Sequence, residues 1–133
     1  MLNSRTPREV VDDAYDAILK KGDIEAFLKD FDDNSVLEET PSLPYGGTFK
    51  GKDAVRKALM RVFEYWKDFS YKPEHILADD EWVMAYGEFS ATSIKTGKKV
   101  AFPLAEIWRI RQGRVVLVTP VYSDTKAVLD ALG

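Results

Sequence analysis

KVAFPLAEIWRIRQGRVVLVTPVYS, residues 99–123, is two long apolar runs joined at Gln112-Gly113. Strand geometry alternates side chains between faces. In the first run Phe102, Leu104, Glu106, Trp108 and Ile110 therefore share one face, and Ala101, Pro103, Ala105, Ile107 and Arg109 share the other. The first set is bulky and apolar except for Glu106. A short Gln-Gly separator predicts a tight antiparallel hairpin of Lys99–Arg111 with Arg114–Ser123. Two further runs upstream, Tyr71–Ala78 and Trp82–Ile94, are divided by Asp79-Asp80-Glu81 and end at Thr96-Gly97. The second half of the chain thus reads as four sequentially paired strands.

The first half is mostly helical. Thr6-Pro7-Arg8-Glu9 forms a capping box, and Val10, Val11, Ala14, Tyr15, Ile18 and Leu19 then follow at helical spacing. Gly22 suits the end of that helix, and Asp23 can cap a short second one carrying Ile24, Phe27 and Leu28. A strand is expected near Ser35–Thr40, followed by a loop in which Pro41, Pro44, Gly46 and Gly47 oppose regular structure. After Gly51, Val55, Leu59, Val62, Phe63 and Trp66 mark a third helix, and Thr125–Leu132 a short final one. This order predicts an α+β domain: a curved antiparallel sheet packed on three helices from the N-terminal half. Such a sheet wraps into a cone, whose interior is the default binding site.

At 133 residues, one domain spanning 1–133 is the simplest reading. The net charge is −3, and lysine and arginine are scattered, which argues against nucleic acid and anionic membrane surfaces as partners. There is no cysteine, so disulfides, thiolate nucleophiles and cysteine-based zinc sites are excluded. The stretch MLNSRTPREV lacks a signal-peptide core, and no segment has the length of apolar sequence that crosses a bilayer; a cytoplasmic protein is expected.

Three polar positions stand out against this apolar pattern: the Glu38-Glu39 pair, Glu106 and Tyr15. VLEETPSLPYGGTFKG, residues 36–51, sets Glu38 and Glu39 side by side in a strand, with Val36, Glu38 and Thr40 on one face and Leu37 and Glu39 on the other. Glutamate is depleted from strands and costly to bury. Edge-strand charge would account for either glutamate. An ion pair with Arg109 or Arg56 would account for Glu106, and Tyr15 would serve as an ordinary core tyrosine. The only histidine is His75, and YGGTFKG lacks the ending of a phosphate-binding loop, so relay hydrolysis and nucleotide chemistry have little support.

Four segments resemble the ketosteroid isomerase branch of the NTF2-like (SnoaL-like, cystatin-like) superfamily: EVVDDAYDAILKKGDIEAFL, FDDNSVLEETP, GTFKGKDAVRKAL and EIWRIRQGRVVLVTPVYSD. The resemblance implies that Tyr15 donates a hydrogen bond to the substrate oxygen, that Glu38 is the general base, and that Glu106 is a protonated acid and second donor. It follows the logic by which ketosteroid isomerase keeps a carboxylic acid neutral in an apolar site. Leu59 stands where some relatives have a supporting tyrosine. Tyr45, Trp66, Phe102, Trp108 and Tyr122 are expected around the substrate, with Asp124 at the rim. The implied activity is a cofactor-free, metal-free isomerisation beside the carbonyl of a hydrophobic ketone. The alternative is a non-catalytic module that binds a small hydrophobic ligand or dimerises. Relatives pair through the outer sheet face, so a homodimer using Ile107, Ala105, Val83 or Val121 is expected.

Overall fold

The computed structural model describes residues 5–133. Helix α1 (Pro7–Tyr15) begins at the expected box: the Glu9 N–H donates to Thr6 Oγ1 (3.2 Å) and the Thr6 N–H to Glu9 Oε1 (3.0 Å). It runs directly into a π-helical turn, Asp16–Lys20. Such widened turns occur often beside functional residues, and this one follows Tyr15. Helix α2 (Ile24–Leu28) is opened by Asp23, whose carboxylate accepts from the Ala26 N–H.

Strand β1 (Phe31–Glu39) starts four residues earlier than its apolar pattern suggests, and a further strand, β2 (Gly47–Lys50), forms where a loop is expected. The breakers act only up to Gly47, which takes φ 133°; Thr48, Phe49 and Lys50 are then free to pair with β1, Val36 lying opposite Lys50 and Glu39 opposite Gly47. Helix α3 (Lys52–Tyr65) ends one residue short of Trp66, which is extended and opens β3 (Trp66–Ala78). Strands β4 (Trp82–Ser93), β5 (Lys99–Arg111) and β6 (Arg114–Tyr122) complete the sheet, and α4 (Thr125–Leu132) follows. The β5–β6 turn has φ 51° at Gln112 and 74° at Gly113. Two successive positive φ values are those of the primed turns that match strand twist.

The six strands lie in the order β2-β1-β6-β5-β4-β3. All neighbours are antiparallel except β1 and β6, which run parallel with Leu37 beside Val118. The inner face of β5 is the one alternation selects: Phe102, Leu104, Trp108 and Ile110 are buried. Helices α1, α2 and α3 cover the inner face. On the outer face Leu77, Met84, Tyr86 and Val121 are exposed. Val83, expected there, is fully buried, because β3 and β4 pair with Ala78 opposite Val83 and turn Met84 outward instead. Among the described residues no helix is long and apolar enough to cross a membrane.

Candidate active site

A cavity of about 90 Å³ lies between the inner sheet face and the helices. Helix α1 and its π turn contribute Tyr15, Ile18 and Leu19; α3 contributes Val55, Leu59, Val62 and Phe63. Five polar side chains reach an otherwise apolar lining: Tyr15, Glu39, Tyr71, Glu106 and Tyr122.

Glu106 lies on the bulky face of β5 and is half-buried, facing the cavity. Among the described residues no cation pairs with it. Arg109 is engaged by Glu81 (2.9 Å) and Arg56 by Glu25 (2.7 Å), so the ion pairs that would have made Glu106 structural do not form. Its partner is Tyr15, whose hydroxyl donates to Glu106 Oε1 at 2.7 Å and accepts from Trp108 Nε1 at 3.0 Å. Burial pushes the Glu106 carboxyl up to about 7, with the Tyr15 hydrogen bond acting against the rise. Burial and the neighbouring Glu106 charge also raise the Tyr15 phenol well above its usual range.

The second acid is Glu39. Glu38, the residue that the resemblance assigns as base, is exposed and does not reach the cavity. The reason is register. An irregularity between Phe31 and Val36 in the β1–β6 pairing sets Leu37 inward beside Val118, and a period of two then turns Glu39 in and Glu38 out. Glu39 is 6% exposed, and its Oε1 has no hydrogen-bond partner among the described residues. Burial pushes its carboxyl up to about 8; the Glu106 charge adds to the rise, and the Tyr122 hydroxyl and the Thr40 backbone oppose it.

The sheet places the two acids symmetrically. Glu106 pairs with Pro120 across β5–β6, and two residues beyond the Leu37–Val118 pair, Glu39 comes level with Pro120 from the other side. With strands ~4.8 Å apart, their Cα atoms are about 10 Å apart. The Pro120 ring is a small apolar floor with a carboxyl on each flank, and it too lines the cavity.

Behind Tyr122 is a second hydrogen-bond chain. The Trp66 indole N–H donates to the Tyr45 hydroxyl (3.2 Å), which lies 2.9 Å from the Tyr122 hydroxyl. Tyr45, Trp66 and Phe102 do not line the cavity as the sequence suggests; they stand one layer back, Phe102 with its ring centroid 5.8 Å from that of Tyr122. Asp124 has no part in the site: it is exposed and its carboxylate accepts from the Ala127 N–H (2.9 Å), capping α4. Trp108 and Tyr122 do line the cavity, as expected.

Tyr45 is delivered by the turn after β1, where the Leu43 N–H donates to the Thr40 carbonyl (3.1 Å) and the Gly46 N–H to the Leu43 carbonyl (2.9 Å). A Cβ on Gly46 would overlap the Thr40 carbonyl oxygen, a backbone atom that cannot swing aside. Gly46→Ala is therefore expected to cost more than about 2 kcal/mol in chemical denaturation. An unchanged midpoint would show that the turn relaxes freely.

Sequence reasoning left open whether Glu38 or Glu39 points inward, and it missed Pro120 and Tyr71. Tyr71 packs 5.8 Å from the Tyr15 ring, and its hydroxyl donates to the Leu104 carbonyl (2.9 Å). Its signal was available, since it opens the strand pattern Tyr71–Ala78. Glu39 had only the face it shares with Leu37.

Residues 11–118 match the model of the SnoaL-like domain. Over 93 residues the chain is 31% identical to patulin biosynthesis cluster protein F of Penicillium expansum, an alignment covering 68% of this chain and 47% of that one; the chain thus spans about half the length of this relative. A crystal structure of an NTF2-like protein from Burkholderia thailandensis is 27% identical with a TM-score of 0.88, covering 97% of this chain and 98% of that one. A protein with a ketosteroid isomerase-like fold from Catenulispora acidiphila, in complex with trimethylamine, is 16% identical with a TM-score of 0.78, covering 96% and 94%.

Proposed function

The chain belongs to the SnoaL-like domain family, and from that premise we propose a cofactor-free enzyme that moves a proton beside the carbonyl of a compact hydrophobic ketone. One observation carries this reading: two carboxyls without a cation partner among the described residues flank an apolar floor, each with a tyrosine hydroxyl beside it. One carboxylate takes a proton from the carbon next to the carbonyl. The other, neutral, joins its tyrosine in donating hydrogen bonds to the oxygen, where enolate charge develops. The first then returns the proton at another carbon, so the product is an isomer with no net change in atoms or electrons. Apolar walls strengthen each of these interactions by excluding water.

Cavity size limits the substrate. Pockets for drug-sized ligands run to roughly 300–1,000 Å³, and a cavity of about 150 Å³ accommodates benzene. At about 90 Å³ the site is smaller than either, so it excludes the four rings of a steroid, and even a single ring requires the apolar walls to give a little. A biosynthetic role is consistent with the Penicillium expansum relative, whose name places it in a small-molecule biosynthesis cluster. The test is conversion of 3-cyclohexenone and of a β,γ-unsaturated ketosteroid to their conjugated enones, followed by ultraviolet absorbance. Turnover of the small ketone, lost when the acids are replaced by glutamine, is the expected result. Silence toward both ketones would contradict the proton-transfer reading and favour a module that only binds.

The outer sheet face is proposed to hold a second copy of the chain. Leu77 and Met84 are paired across β3–β4, Met84 and Ile107 across β4–β5, so one apolar row crosses three strands; Tyr86, Ala105 and Val121 form the next. Light scattering should give a dimer mass, and Met84→Lys should give a monomer. A monomer mass for the unsubstituted chain across a concentration series would contradict it.

A further inference from the structure

Ketosteroid isomerase logic makes Glu106 the neutral donor and the acid on β1 the base. We propose the reverse for this chain: Glu106 is the base, and Glu39 with Tyr122 forms the donor pair that holds the substrate oxygen. The assignment rests on the isomerase reading and specifies how its two acids divide the work.

Burial and one orphaned oxygen distinguish the two carboxyls, each of which has a tyrosine hydroxyl beside it. Glu106 receives the Tyr15 hydroxyl at 2.7 Å, and the Tyr15 oxygen in turn receives the Trp108 N–H at 3.0 Å. A donor chain of this kind strengthens toward its acceptor end and suits an anion there. Glu106 is also the less buried acid. Glu39 has the Tyr122 hydroxyl and the Thr40 backbone beside it, but it is more than nine-tenths buried and its Oε1 has no partner among the described residues. A charged, unpartnered oxygen is the costliest arrangement a fold can hold, whereas a neutral acid brings its own hydrogen to donate.

The second chain supplies the other donor. With the Trp66 N–H directed to the Tyr45 oxygen, the Tyr45 hydrogen is free to go to Tyr122, which leaves the Tyr122 hydrogen for the Glu39 side of the cavity. Tyr45 and Trp66 are thus positioning residues for Tyr122. Two acids flanking one proline cannot both ionise cheaply. Both carboxyls are raised above the ordinary range, which agrees with one proton being retained between them.

A ring bound over Pro120 would then place its oxygen toward Glu39 and Tyr122 and its acidic carbon toward Glu106. The probe is 4-nitrophenol, one ring whose phenolate oxygen stands in for the enolate and whose visible absorbance reports ionisation. Titrations at neutral pH would compare the unsubstituted chain with Glu106→Gln, Glu39→Gln and Tyr122→Phe, each checked for folding by circular dichroism. Glu106→Gln removes a negative charge facing the phenolate and should tighten binding tenfold or more. Glu39→Gln replaces one neutral donor with another and should change it less than threefold. Tyr122→Phe should weaken it about tenfold. Tightening by Glu39→Gln and not by Glu106→Gln would overturn the assignment, as would failure of the unsubstituted chain to bind. The probe does not turn over, so a silent enone assay would count against the isomerase reading, while these titrations would count for or against the division of roles.

Discussion

Glu106→Gln is expected to lower turnover of a compact β,γ-unsaturated ketone by roughly a thousandfold, within the range general-base catalysis supplies. The amide is nearly isosteric with the acid and still accepts from the Tyr15 hydroxyl, so the fold and the 2.7 Å contact have no reason to fail. What it cannot do is take a proton. The loss should therefore fall on kcat, with KM little changed, because the interaction removed exists only along the reaction path. Glu39→Gln should cost less, about ten- to a hundredfold, since an amide N–H replaces the acid O–H as a donor but is weaker toward a developing enolate. Equal, small losses in both variants would mean that neither acid handles the proton.

The second large effect is on stability, and Glu39 carries it. Its folded-state value, about 8, lies above the ordinary 4.5. The native chain thus holds a proton over a range where the unfolded chain has lost it. Stability must then fall as pH rises from about 4.5 to about 8, and level off above. At about 1.4 kcal/mol per unit, the penalty reaches several kcal/mol. Glu106 contributes in the same direction, its carboxyl being raised less, to about 7. Glu39→Gln removes the ionisation. It should match the unsubstituted chain near pH 4 and exceed it by several kcal/mol near pH 9, in urea denaturation followed at each pH. A stability profile without this slope would show that Glu39 ionises normally.

Both effects have one origin, a fold that tolerates two uncompensated acids inside an apolar cone. Stability given up at such a site is a common cost of activity. The helices and walls were legible in the sequence because they follow strong local rules. The Thr6–Glu9 box, the Gln112-Gly113 turn and the face shared by Phe102, Leu104, Glu106, Trp108 and Ile110 all stand as the pattern implies.

What the pattern could not supply was long-range pairing. Alternation shows that Glu38 and Glu39 face opposite ways but not which way is in. That depends on β1 meeting β6 in parallel with Leu37 at Val118, a contact between residues far apart in sequence. The same pairing brings Pro120 between the acids, and nothing local marks that proline as a floor. Trp66 was misread for a related reason: its spacing continues the α3 stripe, yet it begins β3, and its indole serves Tyr45 instead of the substrate. Asp124 was expected at the rim, but it is exposed and its carboxylate accepts from the Ala127 N–H, capping α4.

The measurement that bears most directly on this account is a pH titration of glutamate carboxyl carbons by nuclear magnetic resonance, with Glu39→Gln and Glu106→Gln used for assignment. It needs no substrate. Two glutamates should titrate well above the ordinary value, Glu106 at about 7 and Glu39 at about 8, and Glu106→Gln should lower the value of Glu39 by removing the neighbouring charge. If instead every glutamate titrates near 4.5, the acids are solvated or paired, and the proton-transfer site described here does not exist.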